Sequence, residues 1–208
     1  MPDPRPPALY SNDSCPFAMR ARLTLHYCQI EVEHREIRFD NKPPSMLAAS
    51  PKGTVPVMVF EHGAVIDESW SIMQWALEQN DPENWVGMAG KSYDLACQLV
   101  DRNDNGFAGP AYYYQYADRD PGRSRMENRT RAEAAITPLE KRLEKSPFLG
   151  GETRSVADIA VFPFIDGFSR IEADWFATTY PHLQRWMDAI KNSDLWRQVA
   201  VDHEPWPF

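Results

Sequence analysis

The spacing of apolar residues changes character once along this chain, and that change is what most limits its fold. Up to Gln79, short strand-like runs alternate with amphipathic helical ones. Ala8-Leu9-Tyr10 is an apolar run that stops at the polar loop cluster Ser11-Asn12-Asp13-Ser14. From Pro16 to Gln29, the residues Ala18, Ala21, Leu25 and Cys28 recur at helical spacing, and Pro16 suits the first helical position, where its missing N–H costs nothing. Arg35, Ile37 and Phe39 alternate with Glu36 and Arg38, as on a half-buried strand. Val55 to Phe60 and Ala64 to Ile66 are β-type runs on either side of Glu61-His62-Gly63, a hairpin signature. Trp70, Ile72, Met73, Ala76 and Leu77 then mark an amphipathic helix. The order β-α-β-(α)-β-β-α predicts a small α/β domain over residues 1–80.

Beyond the breaker cluster Asn80-Asp81-Pro82-Glu83-Asn84 the strand signals disappear. Residues 81–90 read as a linker and 91–208 as an all-helical domain, with helices over Tyr93–Asn103, Arg125–Lys145, Ser155–Ile171 and Pro181–Lys191. Ser155-Val156-Ala157-Asp158 has the form of a capping box with Asp in place of Glu, whose loss costs about 1 kcal/mol. Four prolines in the first seven residues and two in the last four mark both ends as extended arms.

Charge excludes whole classes of partner. With 22 Lys+Arg against 30 Asp+Glu, the net charge of −8 argues against nucleic acid or an anionic membrane surface. No apolar run reaches membrane-spanning length and the start lacks the apolar core of a signal peptide, so the expected location is cytoplasmic. Cys15, Cys28 and Cys97 fit neither a disulfide framework nor a zinc site. The five histidines (His26, His34, His62, His182 and His203) show no metal-ligand spacing, and no metal is expected.

One cysteine stands apart. Cys15 directly precedes Pro16 where a loop enters a helix, and the free N–H groups and positive dipole end there favour thiolate over thiol. On this placement alone, a nucleophile and a small buried residue stand about even. Cys28 and Cys97 fall on apolar helical faces, as core residues do. Val55-Pro56 sets a proline at the entry to a strand. Glu68-Ser69 opens the helix at Trp70, either as an ordinary cap or as a carboxylate site. The aromatic run Tyr112-Tyr113-Tyr114 with Tyr116 reads as helix packing, a dimer contact or the lining of an acceptor pocket.

Taken in order, these pieces resemble the glutathione S-transferase superfamily, and within it the cysteine-type, omega-like branch. The resemblance is carried by Ser14-Cys15-Pro16-Phe17, Asn41-Lys42-Pro43, Ser50-Pro51-Lys52-Gly53-Thr54-Val55-Pro56-Val57, Asp67-Glu68-Ser69, Phe148-Leu149-Gly150-Gly151 and Ser155-Val156-Ala157-Asp158-Ile159-Ala160. It implies a thioredoxin-like domain that binds glutathione as co-substrate, followed by helices that form much of the second-substrate pocket, in a homodimer. By motif position Cys15 would face the glutathione sulfur, Phe17 would pack near the tripeptide and Lys42 would meet its glycine carboxylate. Val55, ahead of a cis Pro56, would pair with its cysteinyl backbone, while Glu68 and Ser69 would hold the γ-glutamyl end.

Ala18 stands where dithiol glutaredoxins carry a second cysteine, so the resemblance implies a monothiol cycle resolved by a second glutathione. The hydroxyls of Tyr10, Ser11 and Ser14 lie close by in sequence and leave a hydroxyl mechanism open. The expected activity is a glutathione-dependent thiol transferase or reductase acting on glutathionylated or small disulfide-type substrates, with conjugation of small electrophiles as a further reaction. The rival is a non-catalytic regulatory or interaction protein with the same fold.

Overall fold

The computed structural model describes residues 5–87 and 91–208; Met1 to Pro4 and residues 88–90 of the expected linker lie outside the described residues. Two compact units emerge, one comprising residues 1–82 with 194–208 and the other residues 83–193.

In the first unit, β1 (Ala8–Ser11), α1 (Pro16–Tyr27), β2 (Glu33–Glu36), α2 (Pro44–Ala49), β3 (Val57–Val59), β4 (Val65–Ile66) and α3 (Ser69–Gln79) follow the predicted order. The sheet order is β2-β1-β3-β4. β1 and β2 run parallel, Ala8 beside Glu33, which requires the crossover that α1 supplies. β3 pairs antiparallel with both β1 and β4. The β3–β4 turn contains Gly63 at φ 88°, a left-handed conformation open to glycine at little cost. β1 is flanked on both sides and all four of its residues are buried, which is why its run is apolar without alternation.

The predicted strand over residues 35–39 is displaced. The strand ends at Glu36, and Ile37 is buried with its N–H donated to Ser11 O at 2.9 Å. Phe39 is 53% exposed, because the chain has already turned, with Arg38 bridging to Asn41 and ion-paired to Asp40. The alternating pattern runs three residues past the end of the strand at Glu36, where the chain leaves the sheet.

The second unit is helical. α4 (Lys91–Arg102) runs through a π-helical turn (Asn103–Phe107) into α5 (Ala108–Gln115), followed by α6 (Arg125–Leu143), α7 (Val156–Ser169), α8 (Ala173–Thr179) and α9 (Pro181–Lys191). The aromatic run lies on α5, where Tyr114 is buried while Tyr112 and Tyr116 stay exposed. α7 is apolar nearly all round and buried over almost its whole length, as expected of a central helix. Its N-terminus is tied off more heavily than a capping box requires. The Ser155 N–H and hydroxyl donate to Asp158 Oδ2 at 2.9 and 3.0 Å, and Leu149 N–H and Trp186 Nε1 donate to Oδ1 at 2.7 and 2.8 Å. Cys28 is core, but Cys97 is only partly buried.

Residues 194–208 depart from the expected boundary, which placed them with the helical domain; they belong to the first unit. α10 (Asp194–Val199) packs on α1, with His26 Nε2 2.7 Å from Gln198 Oε1. The tail then runs along β2: Trp206 N–H donates to Glu36 O at 2.8 Å, and its ring meets Tyr10 edge-on beneath the Arg35 guanidinium. A helical pattern announces a helix but not the surface it packs against. Among the described residues no helix is long and apolar enough to cross a membrane.

Candidate functional site

The loop from β1 to α1 is pinned before it reaches Cys15. Asn12 Nδ2 donates to Ile37 O at 2.9 Å, its Oδ1 accepts from the Ser14 N–H and hydroxyl, and its carbonyl accepts the Cys15 N–H at 3.0 Å. Cys15 is the N-cap of α1, with Pro16 in the first turn and the first helical bond running from Met19 N–H to Cys15 O. Its sulfur packs against the cluster of Tyr10, Ala18, Ile37, Met46, Val55 and Val57 and lies 3.8 Å from Val55 O. The Val55–Pro56 peptide is cis.

This placement corrects one expectation. Burial pushes the Cys15 thiol above the usual thiol range, although the Ala18 and Phe17 N–H groups and the charges of Arg20 and Arg22 act the other way. The helix end does pull toward thiolate, but in an apolar niche desolvation outweighs it.

The other expected residues are linked to this point by contacts within the first unit. Lys42 Nζ lies against Gly53, 3.5 Å from where a β-carbon would sit, and Gly53 holds φ 64° two residues before Val55. Any side chain at Gly53 would therefore meet strain as well as the lysine. Glu68 is the exposed N-cap of α3, and Ser69 is its buried first residue. Arg20 stands over the Phe17 ring at 5.2 Å and donates from Nε to Ser69 Oγ at 2.9 Å, so α1 and the start of α3 are joined through a buried guanidinium.

Three residues take part in the site through contacts that the sequence did not assign to them. Arg20 is one. Lys52 is the second: its ammonium pairs with Glu68 and with Asp67 at 3.1 Å. The third is Asp67, which also accepts from Ser50 Oγ at 2.9 Å; burial would raise its carboxyl, but Lys52 and Ser50 bring it below the usual range. The opposed charges of Lys52 and Asp67-Glu68 flanking a hairpin were the available signal.

The neighbouring hydroxyls are committed elsewhere. Tyr10 Oη donates to Ser45 Oγ at 2.9 Å and accepts from Arg35 at 2.8 Å, Ser11 is fully buried, and Ser14 Oγ bonds Asn12 at 2.6 Å.

A sulfur at a helix start, a backbone edge before a cis proline, a cation and a helix N-terminus form a suitable set for an anionic peptide thiol. Comparison with known proteins identifies the family. The glutathione S-transferase N-terminal domain family matches residues 9–85, and the C-terminal domain family matches residues 106–189. Glutathione S-transferase omega-1 of Sus scrofa is 27% identical over 195 residues, covering 91% of this chain and 79% of that protein. The disulfide-bond oxidoreductase YfcG of Escherichia coli is 26% identical over 190 residues, covering 83% and 78%. Among solved structures, a glutathione transferase family member from Pseudomonas fluorescens with two glutathione bound superposes with a TM-score of 0.81 at 19% identity, covering 96% of this chain and 94% of that one. With both domain families matched in order on the fold they describe, the chain belongs to the glutathione S-transferase superfamily.

Proposed function

We propose that this protein is a glutathione-dependent thiol transferase of the monothiol type, with Cys15 as its nucleophile and conjugation of small electrophiles as a lesser reaction. The observation that carries the reading is the position of the Cys15 sulfur, 3.8 Å from the carbonyl of Val55 ahead of cis Pro56, while each nearby hydroxyl already has a partner or is buried. The names of the pig and Escherichia coli relatives, an omega transferase and a disulfide-bond oxidoreductase, point the same way.

In the first step Cys15 attacks the glutathione sulfur of a mixed disulfide. The Cys15–glutathione bond forms, the substrate–sulfur bond breaks, and the thiol proton leaves with the released substrate thiol. In the second, the thiolate of another glutathione attacks the bound glutathione sulfur; glutathione disulfide departs and Cys15 takes up the proton. With Ala18 at the position of a resolving cysteine, the second thiol must come from solution.

Glutathione has two carboxylates and one ammonium, and the groups for each are separate. Lys42 takes the glycine carboxylate, and the Val55 backbone pairs with the cysteinyl unit as an added strand. The N–H of Ser69 takes the γ-glutamyl carboxylate, Glu68, steadied by Lys52, takes the ammonium, and Phe17 packs alongside. A homodimer is part of this reading.

Cys15→Ala is expected to abolish glutathione-dependent reduction of a glutathionylated peptide while leaving retention on immobilised glutathione intact. Undiminished reduction would remove Cys15 from the mechanism. Failure of the native protein to bind glutathione would favour the regulatory reading.

A further inference from the structure

Beside the proposed glutathione site, and not used by it, four ligand-type side chains converge from three distant parts of the sequence. Asp13 comes from the loop before α1, His34 and Glu36 from β2, and His203 from the C-terminal tail. One ligand atom from each lies within 4.8 Å of all the others. Glu36 is buried and the other three are partly so. They already form two imidazole–carboxylate pairs, His203 Nδ1 with Asp13 Oδ1 at 2.9 Å and His34 Nε2 with Glu36 Oε2 at 3.1 Å. The imidazole rings stack at 3.7 Å, which brings the two pairs face to face.

We propose that Asp13, His34, Glu36 and His203 form a structural site for a zinc-class divalent cation. A tetrahedral zinc ion with nitrogen and oxygen ligands at about 2.0–2.2 Å sets its ligand atoms about 3.4 Å apart. Two imidazole–carboxylate pairs stand slightly closer than that, and one ligand atom of each of the four residues lies within 4.8 Å of the others, so side-chain movements of about 1–2 Å close the tetrahedron. The chief movement falls on His203. Its ring must tilt out of the 13° stack so that both lone pairs meet at one ion, and it sits on an irregular tail rather than on a strand.

Charge favours the ion. The two carboxylates, of Asp13 and Glu36, face one guanidinium, that of Arg22, which pairs with Asp13 Oδ1, so an incoming cation meets two anionic ligands against one cation. Asp13 is further fixed by the His203 N–H at its Oδ2, 2.7 Å, and Glu36 Oε1 accepts the Asp13 N–H at 2.8 Å. These bonds orient the ligands as outer partners commonly do around metals. An ion here would tie the tail to β2 and to the loop two residues before Cys15. The binding proposal does not depend on the activity proposed above.

The test is a titration of untagged full-length protein with Co²⁺ alone, without glutathione, followed by displacement with Zn²⁺. One equivalent is expected to bind with the visible absorption of tetrahedral cobalt and without a near-ultraviolet thiolate charge-transfer band. His34→Gln and His203→Gln should each weaken binding at least ~10-fold, and Cys15→Ser should leave it unchanged. If His34→Gln fails to fold, His203→Gln on the tail decides the matter. Absence of saturable binding, bands unaffected by the His203 change, or a charge-transfer band lost with Cys15→Ser would each overturn the assignment.

Discussion

Asp158 offers the sharpest numerical test of the structure. Taken as a capping box alone, its loss would cost about 1 kcal/mol. The structure surrounds a fully buried carboxylate with three N–H donors, from Leu149, Ser155 and Trp186, and with the Ser155 hydroxyl. Asp158→Ala strands all three N–H groups, and each buried unsatisfied donor costs about 1–3 kcal/mol. Relief from burying a carboxylate offsets part of this, and a net loss of about 3–5 kcal/mol follows. In a chain of this size that lowers Tm by roughly 6–20 °C. Asp158→Asn keeps one acceptor oxygen, enough for the two Oδ1 donors, and should fall between the native protein and Asp158→Ala. The internal comparison is Ser124→Ala, which removes the solvent-exposed box that Ser124 and Glu127 make at α6 and should cost only about 0.5–1 kcal/mol. Calorimetric melts of the four proteins decide the question. If Asp158→Ala were no more damaging than Ser124→Ala, the donors would have to find water, and the account of α7 as a helix anchored through one carboxylate would be wrong.

Lys42→Ala should raise the KM for glutathione about 10–100-fold with little change in kcat, the loss expected for a bond between two charged groups; an unchanged KM would take Lys42 out of the binding site. Lys52→Ala breaks only exposed ion pairs, so the same KM should move less than about 5-fold. An effect as large as that of Lys42→Ala would make Lys52 a direct ligand. Alkylation requires thiolate, so labelling rates rise with pH. With the free Cys15 thiol pushed up by burial, its labelling midpoint should lie above the ordinary ~8.5. Cys28, pushed up to about 12 by burial and Asp81, should stay unlabelled well beyond it; mass mapping across a pH series that found a Cys15 midpoint below neutrality would refute this.

Much of the first unit was legible because its signals are local. A proline after Cys15, a glycine in a hairpin and a polar step before Trp70 each act within a few residues, and the helix starts and the β3–β4 turn stand where those residues put them. What could not be read depends on partners far away in sequence. Arg20 looks like any helical arginine until Ser69, 49 positions on, supplies its acceptor. His34 and His203 meet across most of the chain, where no spacing rule reaches. Phe39 failed for a different reason, since a strand and the turn that ends it can share one alternating pattern. The Cys15 thiol is pushed up rather than down because sequence reveals the helix end but not the apolar niche around it.

The packing of residues 194–208 onto the first unit has a consequence for how the protein is made. The α/β unit is interrupted in sequence by the whole helical unit, residues 83–193, and is completed only when residues 194–208 emerge. Emerging from the ribosome, its N-terminal part must wait with Tyr10, Arg35 and Glu36 uncovered until Trp206 arrives. Contacts of such long sequence separation form late and slow folding. The helical unit, contiguous in sequence, has no such delay and can reach its native packing first, although it is synthesised second.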